Sequence, residues 1–286
     1  MKIGIVGLGL IGGSLGRAIV SRTSDEVYAY DLSHRAMLDG KLLNAYHKEL
    51  TADNLGEIDV LFLSLYPEAL EEALKKYCPL LKDGCLVADC CGNKRRVVKQ
   101  MQELANKYPH LDFISTHPMA GREFSGVKHS VTSLFDKASM IFVPVKADIK
   151  KIADFKAFAL KIGFGNVVIS TAEKHDEIIA FTSQLAHLVS SSYIKSDTAC
   201  QFMGFSAGSF RDMTRVARLS PEMWSQLTLD NADFLVGEIE CLIKNLTEYK
   251  NALQEKDKEK LKALLADGNE KKIISEKMRR SKSNEK

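Results

Sequence analysis

Six residues near the N-terminus constrain this chain more than any others. Gly7-Leu8-Gly9-Leu10-Ile11-Gly12 follows the apolar run Ile3–Val6 and opens a segment with helix-period apolar residues. A GxGxxG between a buried strand and a helix start has a mechanical reading. Gly7 allows a tight turn, Gly9 lets backbone approach a pyrophosphate, and Gly12 lets helix pack on strand. The helix N-terminus then offers free N–H groups, including those at Leu10 and Ile11, and a favourable dipole to the phosphates. Asp31 ends the next strand-like run, nineteen residues after Gly12. A carboxylate there accepts hydrogen bonds from an adenosine ribose and repels a 2′-phosphate, which favours NAD over NADP, with Arg35 nearby tempering that preference. A nucleoside-dependent methyltransferase also combines glycines with such an acid, but the third glycine at the helix start points to a pyrophosphate and so to a dinucleotide.

That motif opens a longer pattern. Strand-like segments at Ile3–Val6, Glu26–Tyr30, Val60–Leu63, Gly84–Asp89, Asp112–Thr116, Ser139–Pro144 and Asn166–Ile169 alternate with helical ones at Gly12–Ser21, Glu68–Leu81, Asn93–Tyr108 and Ile149–Ile162. Such alternation predicts a mainly parallel sheet covered by helices. After about Thr171 the character changes: Thr171–Ser196, Gly208–Arg218, Pro221–Leu253 and Lys256–Leu265 all read as helices. Ser220-Pro221 is a good start signal, serine as N-cap and proline at the first helical position. The expectation is an α/β Rossmann dinucleotide-binding domain over residues 1–170, then an all-α domain over 171–286 with a charged C-terminal tail.

Composition excludes several classes. Hydrophobic residues at 45% and charged residues at 27% are those of an ordinary soluble chain, and no apolar run nears the ~20 residues of a membrane span. The strand that begins at Lys2 leaves no room for a targeting peptide. Lys250–Lys286 carries 12 basic and 7 acidic residues. Mixed signs and the lack of aromatics beyond Tyr249 favour a solvated helix end over a nucleic-acid or membrane contact. The six cysteines show no paired CxxC spacing and no nearby histidine, so reduced thiols in a cytoplasmic protein are expected, and no metal.

Three segments hold polar residues that folding alone would not select. His117-Pro118-Met119-Ala120-Gly121-Arg122-Glu123 follows the strand Asp112–Thr116, at the sheet edge where ligands of open α/β folds bind. A histidine there can exchange a proton near neutral pH, as hydride transfer from an alcohol requires; otherwise it is a hydrogen-bonded loop histidine. Asp176, Ala180, Ser183 and His187 recur at helical spacing as a polar stripe on a helix that is apolar on other faces. That stripe is either a structural hydrogen-bond network or a binding surface. In Phe210-Arg211-Asp212-Met213-Thr214-Arg215, Asp212 lies at i,i+3 from Arg215; an arginine steadied this way suits a bidentate carboxylate contact, or forms a surface ion pair.

Taken together, Gly7–Leu15, His117–Glu123, Leu185–His187 and Phe210–Arg215 resemble the prephenate/arogenate dehydrogenase family of tyrosine biosynthesis, in order and over nearly the whole chain. The resemblance implies NAD-dependent oxidative decarboxylation of prephenate or arogenate in a homodimer joined through the helical domain. It implies that His117 is the catalytic base at the C4 hydroxyl, that His187 holds the substrate side chain, and that Arg215 binds a carboxylate with Asp212 orienting it. Glu123 is implied as a gating or polar residue of the site. Two departures stand out. Gly92 occupies the position of a serine that many members place against the catalytic histidine, leaving Asn93, a cysteine thiol or water to take its part. Gln184 stands where a histidine opens the HLPH-like element. Two other readings are a β-hydroxyacid dehydrogenase, whose helical-domain lysine neither Lys174 nor Lys195 clearly supplies, and a non-catalytic NAD-sensing protein, against which His117, His187 and Arg215 together speak.

Overall fold

The computed structural model describes residues 1–205 and 208–284; Glu285 and Lys286, at the end of the charged tail, lie outside the described residues. Eight strands form one sheet: β1 (Lys2–Val6), β2 (Glu26–Tyr30), β3 (Lys48–Glu49), β4 (Val60–Leu63), β5 (Leu86–Asp89), β6 (Asp112–Pro118), β7 (Ser139–Lys146) and β8 (Asn166–Ile169). Their order is β3-β2-β1-β4-β5-β6-β7-β8. All neighbours are parallel except β6 and β7. The chain winds outward from β1 to β3 and then returns to β4 on the other side of β1. The crevice between β1 and β4, at the carboxyl ends, is therefore the topological switch point where such sheets take ligands.

Period-two alternation explains why these near-continuous apolar runs are strands. In β4, Val60 and Phe62 face one layer while Leu61 and Leu63 face the other; in β5, Leu86 and Ala88 oppose Val87 in the same way. A parallel sheet is buried on both faces, so both registers are apolar. One layer holds α1 (Leu10–Arg22) and α5 (Ile149–Lys161), whose Leu15, Ile19, Phe155 and Phe158 pack with Phe62 and Phe142. The other holds α3 (Pro67–Tyr77) and α4 (Arg95–Lys107) through Leu70, Leu74, Val97 and Met101.

A short helix α2 (His34–Leu42) and the two-residue β3 escape sequence patterning. Neither has a long apolar period, and α2 is held at its start by Ser33 Oγ, which accepts from Ala36 N at 3.2 Å.

Beyond β8, the described residues are helical, as expected, but less continuous. The span expected as one helix from Thr171 divides into α6 (Ala172–Ile179), a π-helical turn (Ala180–Leu185) and α7 (Ala186–Tyr193). Next come α8 (Gly208–Thr214) and α9 (Pro221–Leu229), then α10 (Ala232–Gln254). The break inside the expected helix Pro221–Leu253 falls at Asn231, whose fully buried amide donates to Asp176 O at 2.9 Å and Gln184 Oε1 at 2.8 Å. Ser220 takes the N-cap position with Pro221 behind it, yet only its carbonyl accepts, from Trp224 N at 3.0 Å; its hydroxyl faces Glu222.

The described residues form two compact units, Met1–Phe234 and Leu235–Lys286. In the second, α11 (Lys258–Asn284) runs well past the expected end at Leu265, with exposed pairs such as Lys271–Asp267 at 2.5 Å and Lys272–Glu276 at 3.2 Å along it. Such i,i+4 pairs each add only a few tenths of a kcal/mol, ~0.2–0.5, but they suit a polar helix. No helix among the described residues is long and apolar enough to cross a membrane.

Candidate active site

The glycine loop is shaped by what a side chain would strike. Gly7 has φ +94°, and a Cβ there would lie 2.3 Å from Ser64 O; at Gly12 it would lie 1.9 Å from Gly7 O. Gly9 is different: nothing lies within 4 Å of its missing Cβ. No side chain caps α1, so the N–H groups of its first turn, beginning at Leu10 and Ile11, are left without a side-chain cap. Asp31 ties this loop to the end of β2, accepting from Leu8 N at 2.7 Å through Oδ2 and from Ser33 N at 2.8 Å through Oδ1. Each oxygen keeps a lone pair for a further donor. An uncapped helix start above an open glycine and an anchored acid is the arrangement a dinucleotide requires. Arg35, the residue set against the NAD preference, pairs with Asp39 at 3.0 Å.

His117 is the penultimate residue of β6, three strand steps from β1 on the same carboxyl edge, about 14 Å away at ~4.8 Å per step. A buried polar corner holds it there. Lys94 and Asp89 are fully buried and paired at 2.5 Å. All three Lys94 donors are used, the others by Ser115 Oγ at 3.0 Å and Thr116 O at 2.6 Å. Asp89 accepts in addition from Ser115 Oγ at 2.6 Å, Thr116 N at 3.1 Å and Cys91 N at 2.8 Å. Removing one partner of such a pair strands a buried charge, which typically costs ~3–5 kcal/mol. The backbone just before His117 is thus bonded to both charges.

The His117 imidazole meets a second histidine. Its Nδ1 lies 2.8 Å from His175 Nε2, and His175 Nδ1 lies 2.7 Å from Asp176 Oδ1. His175 and Asp176 are buried on α6. Asp176 also accepts from Lys94 N at 2.8 Å, Arg95 N at 2.9 Å and Arg95 Nε at 3.2 Å, which caps the start of α4. Burial, then the neighbouring His175 and Lys94, hold His117 well below the usual histidine range. Burial lowers His175 too, against the opposing pull of Asp176. For Asp176, burial pushes upward, but the bonds from His175, Arg95 and Lys94 outweigh it and keep the carboxyl below its ordinary value. At neutral pH the triplet is therefore two neutral imidazoles and a carboxylate.

At the departure at Gly92 no side chain is present to meet His117. A Cβ there would face Leu227 of α9, 3.1 Å away. Asn93 does not stand in for a serine: its Oδ1 accepts from Gln184 Nε2 at 2.8 Å and its Nδ2 donates to Leu227 O at 2.7 Å. Nor do the thiols. Burial pushes Cys90 up to about 12 and Cys91 well above its ordinary value, while Cys91 Sγ faces Leu65 O at 3.7 Å. The side chain that meets His117 is His175. The sequence signal is its place next to Asp176, which a stripe beginning at Asp176 leaves out.

The stripe itself shifts register. A π-helical turn advances the chain by more residues per turn than an α-helix, so Gln184, not Ser183, turns fully inward between Asn93 and Asn231. His187 remains half-buried on α7, its Nδ1 2.8 Å from Ser183 O and its ring 4.3 Å from that of Trp224. A carbonyl only accepts, so His187 Nδ1 is the donor and Nε2 faces outward as an acceptor when the ring is neutral. Arg215, just past α8, is exposed and pairs with Glu123 of the loop after β6 at 3.0 Å. Its ion-pair partner is thus Glu123 rather than Asp212, which sits exposed on α8. Glu123 and Arg215 are brought together, as are His117 and His175; among the described residues, no hydrogen bond or ion pair joins either pair to His187.

Comparison with known proteins gives the family and the fold. Residues 15–168 match the family model for the prephenate dehydrogenase nucleotide-binding domain, and residues 171–267 match the prephenate dehydrogenase dimerization domain. A cyclohexadienyl dehydrogenase of Zymomonas mobilis is 30% identical over 265 residues, covering 89% of each chain. Among solved structures, prephenate dehydrogenase from A. aeolicus in complex with hydroxyphenyl propionate and NAD+ superposes with a TM-score of 0.79 at 24% identity, over 96% of this chain and 98% of the other. The Synechocystis arogenate dehydrogenase does so with a TM-score of 0.78 at 22% identity, over 96% of this chain and all of the other.

Proposed function

Since the chain belongs to the prephenate dehydrogenase family, we propose that it catalyses the NAD-dependent oxidative decarboxylation of prephenate to 4-hydroxyphenylpyruvate. The observation that carries the reading is the placement of a neutral, buttressed His117 on the sheet edge onto which the glycine loop opens. Residues 1–170 bind the cofactor in this reading, through Gly7, Gly9, the N–H groups at Leu10 and Ile11, Gly12 and Asp31. Residues 171–286 supply substrate contacts and the homodimer interface.

Bound NAD supplies a hydride acceptor at C4 of the cyclohexadienol ring. His117 takes the C4 hydroxyl proton as the hydride leaves, which avoids a protonated carbonyl. The electron pair of the bond to the ring carboxylate then enters the ring as CO₂ departs, and aromatisation leaves a phenolate at C4. The His117 imidazolium returns its proton to that oxygen, so no net proton is released. Arg215 holds a substrate carboxylate, for which its planar fork is suited. His187, through Nε2, holds the side chain in this reading.

Prephenate and arogenate differ in a keto or ammonium-bearing side chain. Glu123, the acid beside Arg215, belongs to that arginine's ion pair at 3.0 Å and is not an acid dedicated to an ammonium. Initial rates of NADH formation with each substrate test the assignment. A higher kcat/KM for prephenate is expected; a higher value for arogenate would reassign the substrate and leave the reaction class intact.

A further inference from the structure

A general base that is neutral is not yet a base at the right atom. Neutral imidazole carries one proton, and the nitrogen that keeps its lone pair is fixed by what the other nitrogen bonds. Around His117 the chain of bonds leaves one solution. Asp176 is surrounded by donors: Lys94 N at 2.8 Å, Arg95 N at 2.9 Å and Arg95 Nε at 3.2 Å. As a carboxylate it only accepts, so the 2.7 Å contact from His175 Nδ1 is an N–H donated to Oδ1. Neutral His175 has then spent its proton, and its Nε2 can only accept. The 2.8 Å contact from His117 Nδ1 is in turn an N–H donated to His175 Nε2. His117 Nε2 is left bare.

We propose that His175 and Asp176 are positioning residues that lock His117 in its Nδ1-protonated tautomer, so that Nε2 is the atom that receives the substrate proton. The proposal rests on the dehydrogenase reading above and adds to it two residues that act through His117. When His117 Nε2 takes the C4 hydroxyl proton, the imidazolium keeps its Nδ1–H bond to His175. The Asp176 carboxylate, one imidazole further on, faces the new charge without leaving its place at the start of α4. The proton then returns through Nε2, and the His175–Asp176 bond is the same before and after.

Two measurements decide it. ¹⁵N NMR of the full-length protein labelled in histidine, at about pH 8 where ordinary imidazoles are neutral, reads the tautomer of each ring; the His117 signals are identified by their loss in His117→Asn. Protonated Nδ1 and bare Nε2 on His117 are expected, and a proton on Nε2 overturns the proposal. Kinetics give the second reading. His175→Leu removes the acceptor for His117 Nδ1–H, and kcat for the cyclohexadienol substrate should fall about 10²- to 10⁴-fold, the range for a base lost or held in the wrong tautomer. KM for NAD and substrate should stay within about threefold, because His175 acts through His117. His175→Gln offers an amide oxygen to the same N–H and should recover at least about tenfold of the loss. A His175→Leu enzyme with undiminished kcat, or a His175→Gln enzyme no better than His175→Leu, contradicts the proposal. If His175→Leu does not fold, the wild-type tautomer still tests the lock, and a proton on Nε2 still overturns it. Should the wild-type protein oxidise no cyclohexadienol, the dehydrogenase reading falls by itself, and the NMR result separately reports whether the lock exists.

Discussion

At the residue level, the chemistry turns on where protons and charges are allowed to sit. Burial beside His175 and Lys94 lowers His117, so the neutral base persists below the ordinary histidine value of ~6.5. Activity should therefore hold as pH falls through 6.5 and be lost only lower, as His117 becomes protonated; a kcat/KM profile whose acidic limb lies at or above ~6.5 would contradict this. His117→Asn keeps a hydrogen-bonding side chain but no proton acceptor, and should cut kcat by ~10²–10⁴ while NAD still binds. Asp31→Ser removes the charge that repels a 2′-phosphate. It should narrow or reverse a preference for NAD measured as the ratio of kcat/KM values, and equal use of both cofactors by the unaltered protein would refute the role of Asp31. Arg215→Gln should raise substrate KM by roughly 10- to 100-fold, the worth of a charge-assisted contact of ~1.5–3 kcal/mol. An unchanged KM would return Arg215 to the solvent-exposed pair it makes with Glu123, which is worth little. His117, Glu123, His187 and Arg215 were visible as candidates because each stands in a short, distinctive run. His175 was not, since a histidine inside a helix looks like any other until its neighbours are known, and neither was the Asp89–Lys94 pair, whose partners on β6 lie more than twenty residues away.

Among the elements, the glycine loop and the π-helical turn show opposite degrees of legibility. The loop is local: strand, glycines and helix occur in one run, and the backbone does what those residue types require, with Gly7 at φ +94°. Its glycines should respond unequally. Gly12→Ala drives a Cβ to 1.9 Å from Gly7 O and should lower Tm, whereas Gly9→Ala meets nothing and should leave Tm in place. Because the space over Gly9 is where a pyrophosphate approaches, Gly9→Ala should nonetheless raise KM for NAD; unaltered cofactor binding would place the pyrophosphate elsewhere. The π-helical turn is not local. Thr171–Ser196 reads as one α-helix because its apolar spacing is continuous, and only the buried Asn93–Gln184–Asn231 bonds reveal why the register changes within it. The break between α9 and α10 has the same cause: Asn231 bonds back to α6, fifty-five residues earlier.

For the whole molecule, alternation of strand and helix was enough to give the parallel sheet and its helical continuation, because both periods are written in the apolar residues themselves. The edge strand β3 and helix α2 were too short to leave such a period. Val236, Ile243, Leu246 and Leu253 recur along α10 at spacings of seven and three, and all are more than half exposed. Such a stripe is the seam of a helix that packs against another. Given the match to a dimerization domain, the chain should sediment as a homodimer, and a variant with both Ile243→Glu and Leu246→Glu should sediment as a monomer. The central claim concerns the reaction, and one assay addresses it most directly: simultaneous measurement of NADH and CO₂ from prephenate by the wild-type protein and by His117→Asn. The two products should appear in equal amounts with the wild type and fall together in the variant. NADH without CO₂, CO₂ without NADH, or a variant as fast as the wild type would contradict it.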